Sequence, residues 1–345
     1  MDFRKKTVRD VEVAGKTVLV RVDYNVPMKD GEVVEDMRIR GSLPTIKYLL
    51  ERGAKKIILI SHLGRPEGEV KPEFSLGPVA GQLSALLPEQ QVDFIDATTG
   101  PKVFDAVQRM KDGAILMLEN LRFSPAEEEN SEEFAKSIVA VTGAQLFVQD
   151  GFAVIHRAHA STDAIARLIP AVAGFLVEKE VSSLEGAMKA PERPLLVIIG
   201  GAKVADKQPM IDKFLPLADK IAVGGKIAAD GYTATDENGA KLDIGEESTR
   251  DIVNMINEAK TVVWNGTLGM VEDERFAKSS LAVAEALGHS AATTIVGGGD
   301  TAGYVEKVLK NEPGLSFTLV STGGGASLEL LSGKELPGLE VLQDR

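Results

Sequence analysis

The stretch LLVIIGGAKVADK, Leu195 to Lys207, carries the reading of the fold. Five apolar β-formers, Leu195–Ile199, have no polar alternation, which is the pattern of a strand covered on both faces. Gly200 and Gly201 then turn the chain, followed by Ala202 and Lys203 at the opening of a helical pattern. In such a strand–turn–helix unit the glycines let backbone amides approach phosphate oxygens, and the helix N-terminus favours their negative charge. Lys203 and Lys207 lie one helical turn apart, so both can serve the same phosphates. The unit is not a P-loop, because no G-x-x-x-x-G-K-[ST] occurs, and no G-x-G-x-x-G dinucleotide fingerprint occurs either.

The same alternation runs outward in both directions. Strand candidates before it are Val18–Val22, Lys56–Ile60, Val92–Ile95, Ala114–Leu118 and Leu146–Val148. Those after it are Lys220–Val223, Thr261–Val263, Thr293–Val296 and Phe317–Val320. Helical patterns lie between them, such as Leu43–Arg52, Pro78–Leu87, Ser131–Val141, Arg250–Glu258 and Phe276–Leu287. The expected class is therefore α/β, with two doubly wound, Rossmann-like parallel-sheet domains. Pro170 breaks the first series, Gly174–Lys189 reads as one long helix, and Pro191 and Pro194 end it. The expected division is a domain at 1–172, a helical hinge at 173–192 and a domain at 193–329, with the tail 330–345 returning to the first.

The 345 residues suit two such domains. The N-terminus is charged and has no apolar core of a signal peptide, and no apolar run approaches the length of a bilayer span. There is no cysteine. These features set the expectation of a cytoplasmic protein, with no membrane partner and a monomer as the default state. The formal net charge of −12 argues against nonspecific nucleic-acid binding, which needs a basic face. It also means that any site for an anion must gather cations locally.

Ligands of open α/β sheets bind at the carboxyl ends of the strands. In the first half those ends carry Arg21, Asp23 and Asn25; His62 and Arg65; Glu119, Asn120 and Arg122; and Asp150 followed by His156, Arg157 and His159, with Arg38 shortly after the first strand. Arginines gathered at one sheet edge would trap phosphate or carboxylate bidentately. Some of the acids among them, Asp23, Glu119 and Asp150, are expected to hold the arginines in place. In the second half the ends are glycine-rich: Gly200–Gly201, Gly224–Gly225, Gly297–Gly299 followed by Asp300 and Thr301, and Gly323–Gly325. Asp300 stands where a Mg²⁺ carboxylate ligand would be useful. An arginine-rich acid-binding domain, a glycine-rich nucleotide domain and a hinge together describe a phosphotransferase that closes over its substrates.

Eight motifs, in order, resemble the signatures of phosphoglycerate kinases: RVDYNVP at Arg21–Pro27, SHLGRP at Ser61–Pro66, LENLRF at Leu118–Phe123, HRAH at His156–His159, GGAKVADK at Gly200–Lys207, VVWNG at Val262–Gly266, GGGDT at Gly297–Thr301 and STGGGAS at Ser321–Ser327. The resemblance covers nearly the whole chain. It implies reversible phosphoryl transfer between 1,3-bisphosphoglycerate and ADP, giving 3-phosphoglycerate and ATP, with Mg²⁺. It implies a 3-phosphoglycerate site at Asp23, Asn25, Arg38, His62, Arg65, Arg122 and Arg157, in which Arg38 stabilises the transferring phosphoryl group. It implies a nucleotide site drawn from Gly201, Ala202, Lys203, Lys207, Gly225, Asn265, Gly269, Glu272, Gly298, Gly299, Asp300 and Thr301. Lys203 and Lys207 contact the phosphates there, Glu272 holds the ribose and Asp300 holds the metal. Gly323 and Gly324 resemble the amides that steady the moving group.

The departures cluster in the second domain. Lys226 and Ile227 stand where the family usually has glycine and methionine, Thr267 replaces a proline and Val271 a phenylalanine. Only 16 residues separate Gly225 from Leu242, whereas the family places a helix, a strand and a hairpin there. A βαβ unit needs about 30 residues, so a five-stranded sheet lacking one edge strand and its helix between 226 and 241 is expected. Thinning of the base-facing wall would relax base selectivity. The alternative reading is a 3-phosphoglycerate-binding or regulatory homologue with impaired nucleotide use; a kinase of another carboxylic acid is disfavoured by the complete set from Asp23 to Arg157.

Overall fold

The computed structural model describes residues 3–201, 204–225, 234–235 and 241–345. Ala202, Lys203, Lys226 and Ile227 lie outside the described residues. The chain divides into two compact units, one of Asp2–Lys179 with Glu335–Arg345 and one of Glu180–Lys334.

In the first unit six strands form one sheet: β1 (Thr17–Arg21), β2 (Lys56–Ile60), β3 (Val92–Ile95), β4 (Ala114–Leu118), β5 (Leu146–Gln149) and β6 (Ala171–Ala173). Their spatial order is β3-β4-β2-β1-β5-β6, and every pair is parallel. The order reverses at β1, which pairs with β2 on one side and β5 on the other, so Val20 faces both Leu59 and Val148. The helices are α1 (Met37–Glu51), α2 (Gly77–Leu86), α3 (Pro101–Arg109) and α4 (Glu132–Thr142). Alternate residues of the central strands, Val18, Val20, Ile57, Leu59, Ile115 and Met117, share one core with Ile39, Ile46 and Leu49 of α1 and Val79 and Leu83 of α2. Every residue of β1 and β4 is buried, as strands covered on both faces require.

Helix α1 and strand β6 differ from the sequence pattern. Helix α1 starts at Met37, six residues before the expected Leu43, and carries Pro44 within it. Proline is a usual marker of a helix start, and here it follows about two turns of helix, so the pattern concealed them. Strand β6 was not expected at all. It is three residues long, between Pro170 and Gly174, too short to show alternation. After it, α5 (Phe175–Lys189) runs as one helix, and the division between the units falls inside it. The closing residues pack on the first unit: Gly338 N–H donates to Ile155 O at 2.9 Å and Gln343 N–H to Ala171 O at 3.0 Å. The ammonium of buried Lys5 donates to the carbonyls of Glu340 and Leu342.

The second unit has a parallel sheet of five strands among the described residues: β7 (Leu195–Ile199), β8 (Lys220–Val223), β9 (Thr261–Asn265), β10 (Thr293–Gly297) and β11 (Leu319–Val320). The order is β8-β7-β9-β10-β11, so it reverses between β7 and β9. Helices α6 (Val204–Phe214), α7 (Glu246–Glu258), α8 (Lys278–His289), α9 (Gly299–Asn311) and α10 (Gly325–Leu331) accompany it. Leu196, Ile198, Val262, Trp264 and Val296 pack on Ile252, Ile256, Val283, Leu287 and Val305. A short antiparallel pair, Ala234–Thr235 with Lys241–Asp243, precedes α7. No described helix is long and apolar enough to cross a membrane.

Candidate active site

In the first unit the carboxyl ends of β1, β2, β4 and β5 lie side by side and present most of the expected acid-binding residues. Asp23, just past β1, is buried and pairs with the Arg38 guanidinium from the first turn of α1. Asn25 is exposed and its Oδ1 accepts from Gly64 N–H at 2.8 Å, tying the loop after β1 to the loop after β2. Gly64 has φ of +63°, and a Cβ there would meet the Phe74 ring at 2.4 Å, so the close crossing of these loops requires glycine. Arg122, after β4, donates to Gly64 O at 2.9 Å and pairs with Glu128 at 3.1 Å. Arg65 and Arg157 are exposed, and Arg157 Nε lies 3.2 Å from His156 Nε2.

These cations act on one another. Burial lowers the Arg122 pKa, Glu128 opposes that shift, and Arg157 and Arg65 add to it. His62 is buried, and its pKa is held well below the usual imidazole range by burial, then by Arg21, Arg122, Arg38 and His159. His159 is pushed down to about 4, by burial first and then by Arg122, Arg21 and Arg157. Both imidazoles are therefore uncharged at neutral pH, and the positive charge of the site is carried by guanidinium groups.

As expected, some but not all of the strand-end acids hold arginines. Of Asp23, Glu119 and Asp150, only Asp23 holds an arginine. Glu119 accepts from Ser75 Oγ at 2.7 Å, Leu76 N–H at 2.9 Å and Asn120 N–H at 2.7 Å, fixing the entry to α2. Asp150 accepts from Leu176 N–H at 2.9 Å in the first turn of α5. The acid facing Arg122 is Glu128. Glu127 beside it is fully buried, accepting from Ser161 Oγ at 2.5 Å and Ser161 N–H at 3.0 Å. Sequence reading passed over both, because Glu127–Glu129 is a charge run of the kind that usually faces solvent. Arg21, read as one of the strand-end cations, is buried behind the site: its side chain is 1% exposed and sits between Ser161 and His62.

In the second unit the glycines line the carboxyl edge of the sheet. Gly200 is packed against the turn after β9, where a Cβ would lie 2.3 Å from Thr267 O. Gly201 has φ of +114° and Gly298 of +91°, conformations that favour glycine. Lys207 donates to Oδ1 of the buried Asn265 at the end of β9. Thr301 is buried, and its Oγ1 accepts from Gly266 N–H at 2.9 Å, joining the start of α9 to the turn after β9. Gly299 and Asp300 open α9 and are exposed. A Cβ on Gly324 would stand 4.0 Å from Gly299 N, which brings the turns before α9 and α10 together. Gly225 is buried at the end of β8, Gly323 N–H donates to Ser321 Oγ at 3.0 Å, and Glu272 is exposed. Gly269 has a packing reason of its own, since a Cβ there would meet Phe276 O at 2.1 Å. Ala202 and Lys203 fall outside the described residues.

A family model described as phosphoglycerate kinase matches residues 8–239 and 229–334. The chain belongs to the phosphoglycerate kinase family. A phosphoglycerate kinase of Akkermansia muciniphila is 43% identical over 403 aligned positions, covering 99% of this chain and 98% of that protein. One from Clostridium perfringens is 40% identical with full coverage of both. Among solved structures, phosphoglycerate kinase from Coxiella burnetii superposes with a TM-score of 0.81 at 32% identity, and that from Pyrococcus horikoshii OT3 with 0.85 at 29%, each over 98% of both chains. The alignments to the curated kinases extend over 403 positions and this chain has 345 residues, so at least 58 positions of each relative face a gap. The two pieces of the family-model match meet at 229–239, inside the stretch that the sequence identified as shortened.

Proposed function

We propose that the chain is a phosphoglycerate kinase, transferring a phosphoryl group reversibly between the acyl phosphate of 1,3-bisphosphoglycerate and ADP. The observation that carries this reading is the strand-end array of Arg38, Arg65, Arg122 and Arg157 with His62, within a chain whose family is shown over its whole length. Such an array binds a phosphate and a carboxylate at once. The acceptor of the reverse reaction is a carboxylate, already ionised at neutral pH, so no general base is required and none is assigned. Arg38, oriented by Asp23, is the cation placed to meet charge on the transferring group. Lys207, held by Asn265, serves the nucleotide phosphates together with Lys203. Transfer between sites carried by separate units needs closure, for which α5 is the connector.

Mg²⁺ fits the donor set. A hard cation that keeps most of its waters uses one or two carboxylates plus substrate phosphates, and Asp300 offers one exposed carboxylate at a glycine-rich turn. Bound there with the nucleotide, Mg²⁺ supplies charge neutralisation for the phosphates. The shortened stretch removes part of the base-facing wall, so base selectivity is relaxed. The binding-protein alternative is not favoured, since Lys207, Glu272 and Asp300 are all retained. The test is turnover of 3-phosphoglycerate by the pure protein with Mg²⁺ and ATP, GTP or CTP, coupled to NADH oxidation. Turnover with ATP and GTP at comparable kcat/KM is expected. Absence of turnover with every triphosphate would overturn the kinase reading, and a strong preference for ATP would overturn relaxed selectivity alone.

A further inference from the structure

Behind His62 lies a line of buried polar groups that the reaction itself does not use. Arg21 Nη2 is 3.2 Å from His62 Nδ1. Arg21 Nε donates to Ser161 Oγ at 2.7 Å, and Ser161 Oγ and N–H both donate to Glu127. Arg21, Ser161 and Glu127 are each at most 1% exposed.

Each link has a forced polarity. A guanidinium has only donors, so the atom of His62 facing it is a lone pair. A serine hydroxyl has one proton, and Glu127 takes it, which leaves the Ser161 lone pairs turned to Arg21. A buried carboxylate in this position also balances the guanidinium, without which an isolated charge would be very costly to bury. Arg21 thus has its acceptor and counter-charge fixed from behind, and two of its four remaining N–H groups are aimed at Val22 O and at the imidazole.

We propose that Glu127, Ser161 and Arg21 form a positioning relay that fixes His62 as the uncharged tautomer with its proton on Nε2. This rests on the acid site of the proposed kinase. His62 then meets the anionic substrate through an N–H donor whose direction is set in advance, while the arginines supply the charge. The groups facing the ring from the elements around it are Arg21 and Asp23 from the end of β1, Arg38 from α1, Arg122 from beyond β4 and His159 from beyond β5. Only Asp23 among them favours a charged ring, at 3.8 Å from Nδ1, and it is already paired with Arg38. A neutral ring is what this balance gives.

The chain has four histidines, so ¹⁵N-detected imidazole spectra of the substrate-free protein can be assigned from single His→Gln variants. The expected spectrum between pH 6 and 8 shows His62 with an unprotonated Nδ1, a protonated Nε2 and no titration. Ser161→Ala removes the acceptor of Arg21 Nε without adding bulk. It is expected to mix the His62 tautomers and to raise KM for 3-phosphoglycerate about tenfold, leaving KM for the nucleotide unchanged; the loss of one charge-assisted hydrogen bond sets that scale. A wild-type His62 protonated on Nδ1, or titrating in this range, would overturn the proposal without any variant. So would an S161A protein with unaltered tautomer and KM. The spectra need no turnover, so failure here is separable from failure of the kinase reading.

Discussion

Asp150 offers a prediction whose sign and size both come from its surroundings. The side chain is fully buried at the carboxyl end of β5, and Oδ1 caps α5 through Leu176 N–H at 2.9 Å. Thr45 Oγ1 accepts from Phe175 N–H at 2.9 Å, in the same turn. Oδ2 has no partner among the described residues. Gly174 is required beside it, since a Cβ there would fall 2.1 Å from Oδ1. Burial raises the pKa from 3.8 to about 7, against the opposing pull of Thr45, Leu176 and Val177. The folded state therefore holds a proton that the unfolded chain has lost. Stability from this group is fully present below pH 3.8 and declines by about 1.4 kcal/mol per pH unit until pH 7. The full loss is about 4 kcal/mol, of which about 3 kcal/mol falls between pH 5 and 7.

Asp150→Asn keeps the Oδ1 cap and removes the titration. Its new amide N–H₂ stands where Oδ2 had no partner, a fixed cost of about 1–3 kcal/mol at every pH. The stability of D150N relative to wild type is therefore expected to rise by about 3 kcal/mol from pH 5 to 7 and then to stay level to pH 8.5. Urea unfolding followed by far-UV circular dichroism measures this. The single tryptophan, Trp264, lies in the other unit and reports that unit's own transition. A difference between the two proteins that does not change with pH would show that Asp150 is ionised in the folded state, and would refute the account of its burial.

Three further outcomes are expected. Arg38→Ala should lower kcat by at least about two orders of magnitude, the usual effect of losing one donor to developing charge, with far-UV circular dichroism unchanged; near-normal turnover would remove Arg38 from its assigned role. Gly266→Ala should destabilise the second unit by more than about 3 kcal/mol in Trp264-monitored unfolding, because the residue has φ of +100° and a Cβ would lie 2.0 Å from Gly200 O. Chelation of divalent cations should abolish turnover, with recovery on added Mg²⁺; a chelated protein that still turns over would exclude the metal role of Asp300.

The sequence made the sheets legible because their strands are short apolar runs closed by chemistry. Lys56–Ile60, Ala114–Leu118 and Leu195–Ile199 were read to the residue, since burial on both faces leaves no ambiguity of period and the following polar or glycine residues mark the end. The strand Ala171–Ala173 carries no such signal, being three residues in a loop-like Pro–Gly frame. It exists because Phe147 N–H finds Pro170 O at 2.8 Å and because β5 has an edge to cover. In the site, the exposed and half-exposed cations could be named from their place after a strand. The groups behind them could not. Nothing in PAEEE separates Glu127 from Glu128 and Glu129, yet tertiary packing buries the first, pairs the second with Arg122 and leaves the third at the surface.

That hidden layer also explains how a chain of net charge −12 presents an anion site. Asp23, Glu119, Glu127, Glu128 and Asp150 stand near the strand ends of the first unit, and ionised and unpaired they would cancel much of its positive charge. Each is instead engaged by donors on its own side of the site. Asp23 faces Arg38, Glu128 faces Arg122, Glu119 faces two backbone amides and Ser75, Glu127 faces Ser161, and Asp150, whose burial favours the uncharged form, faces the start of α5. Arg65 and Arg157 remain at the surface, where a phosphate can reach them. Local placement of acids behind and cations in front thus separates charge over a few ångströms, and at that range the near field outweighs the screened field of the distant surface.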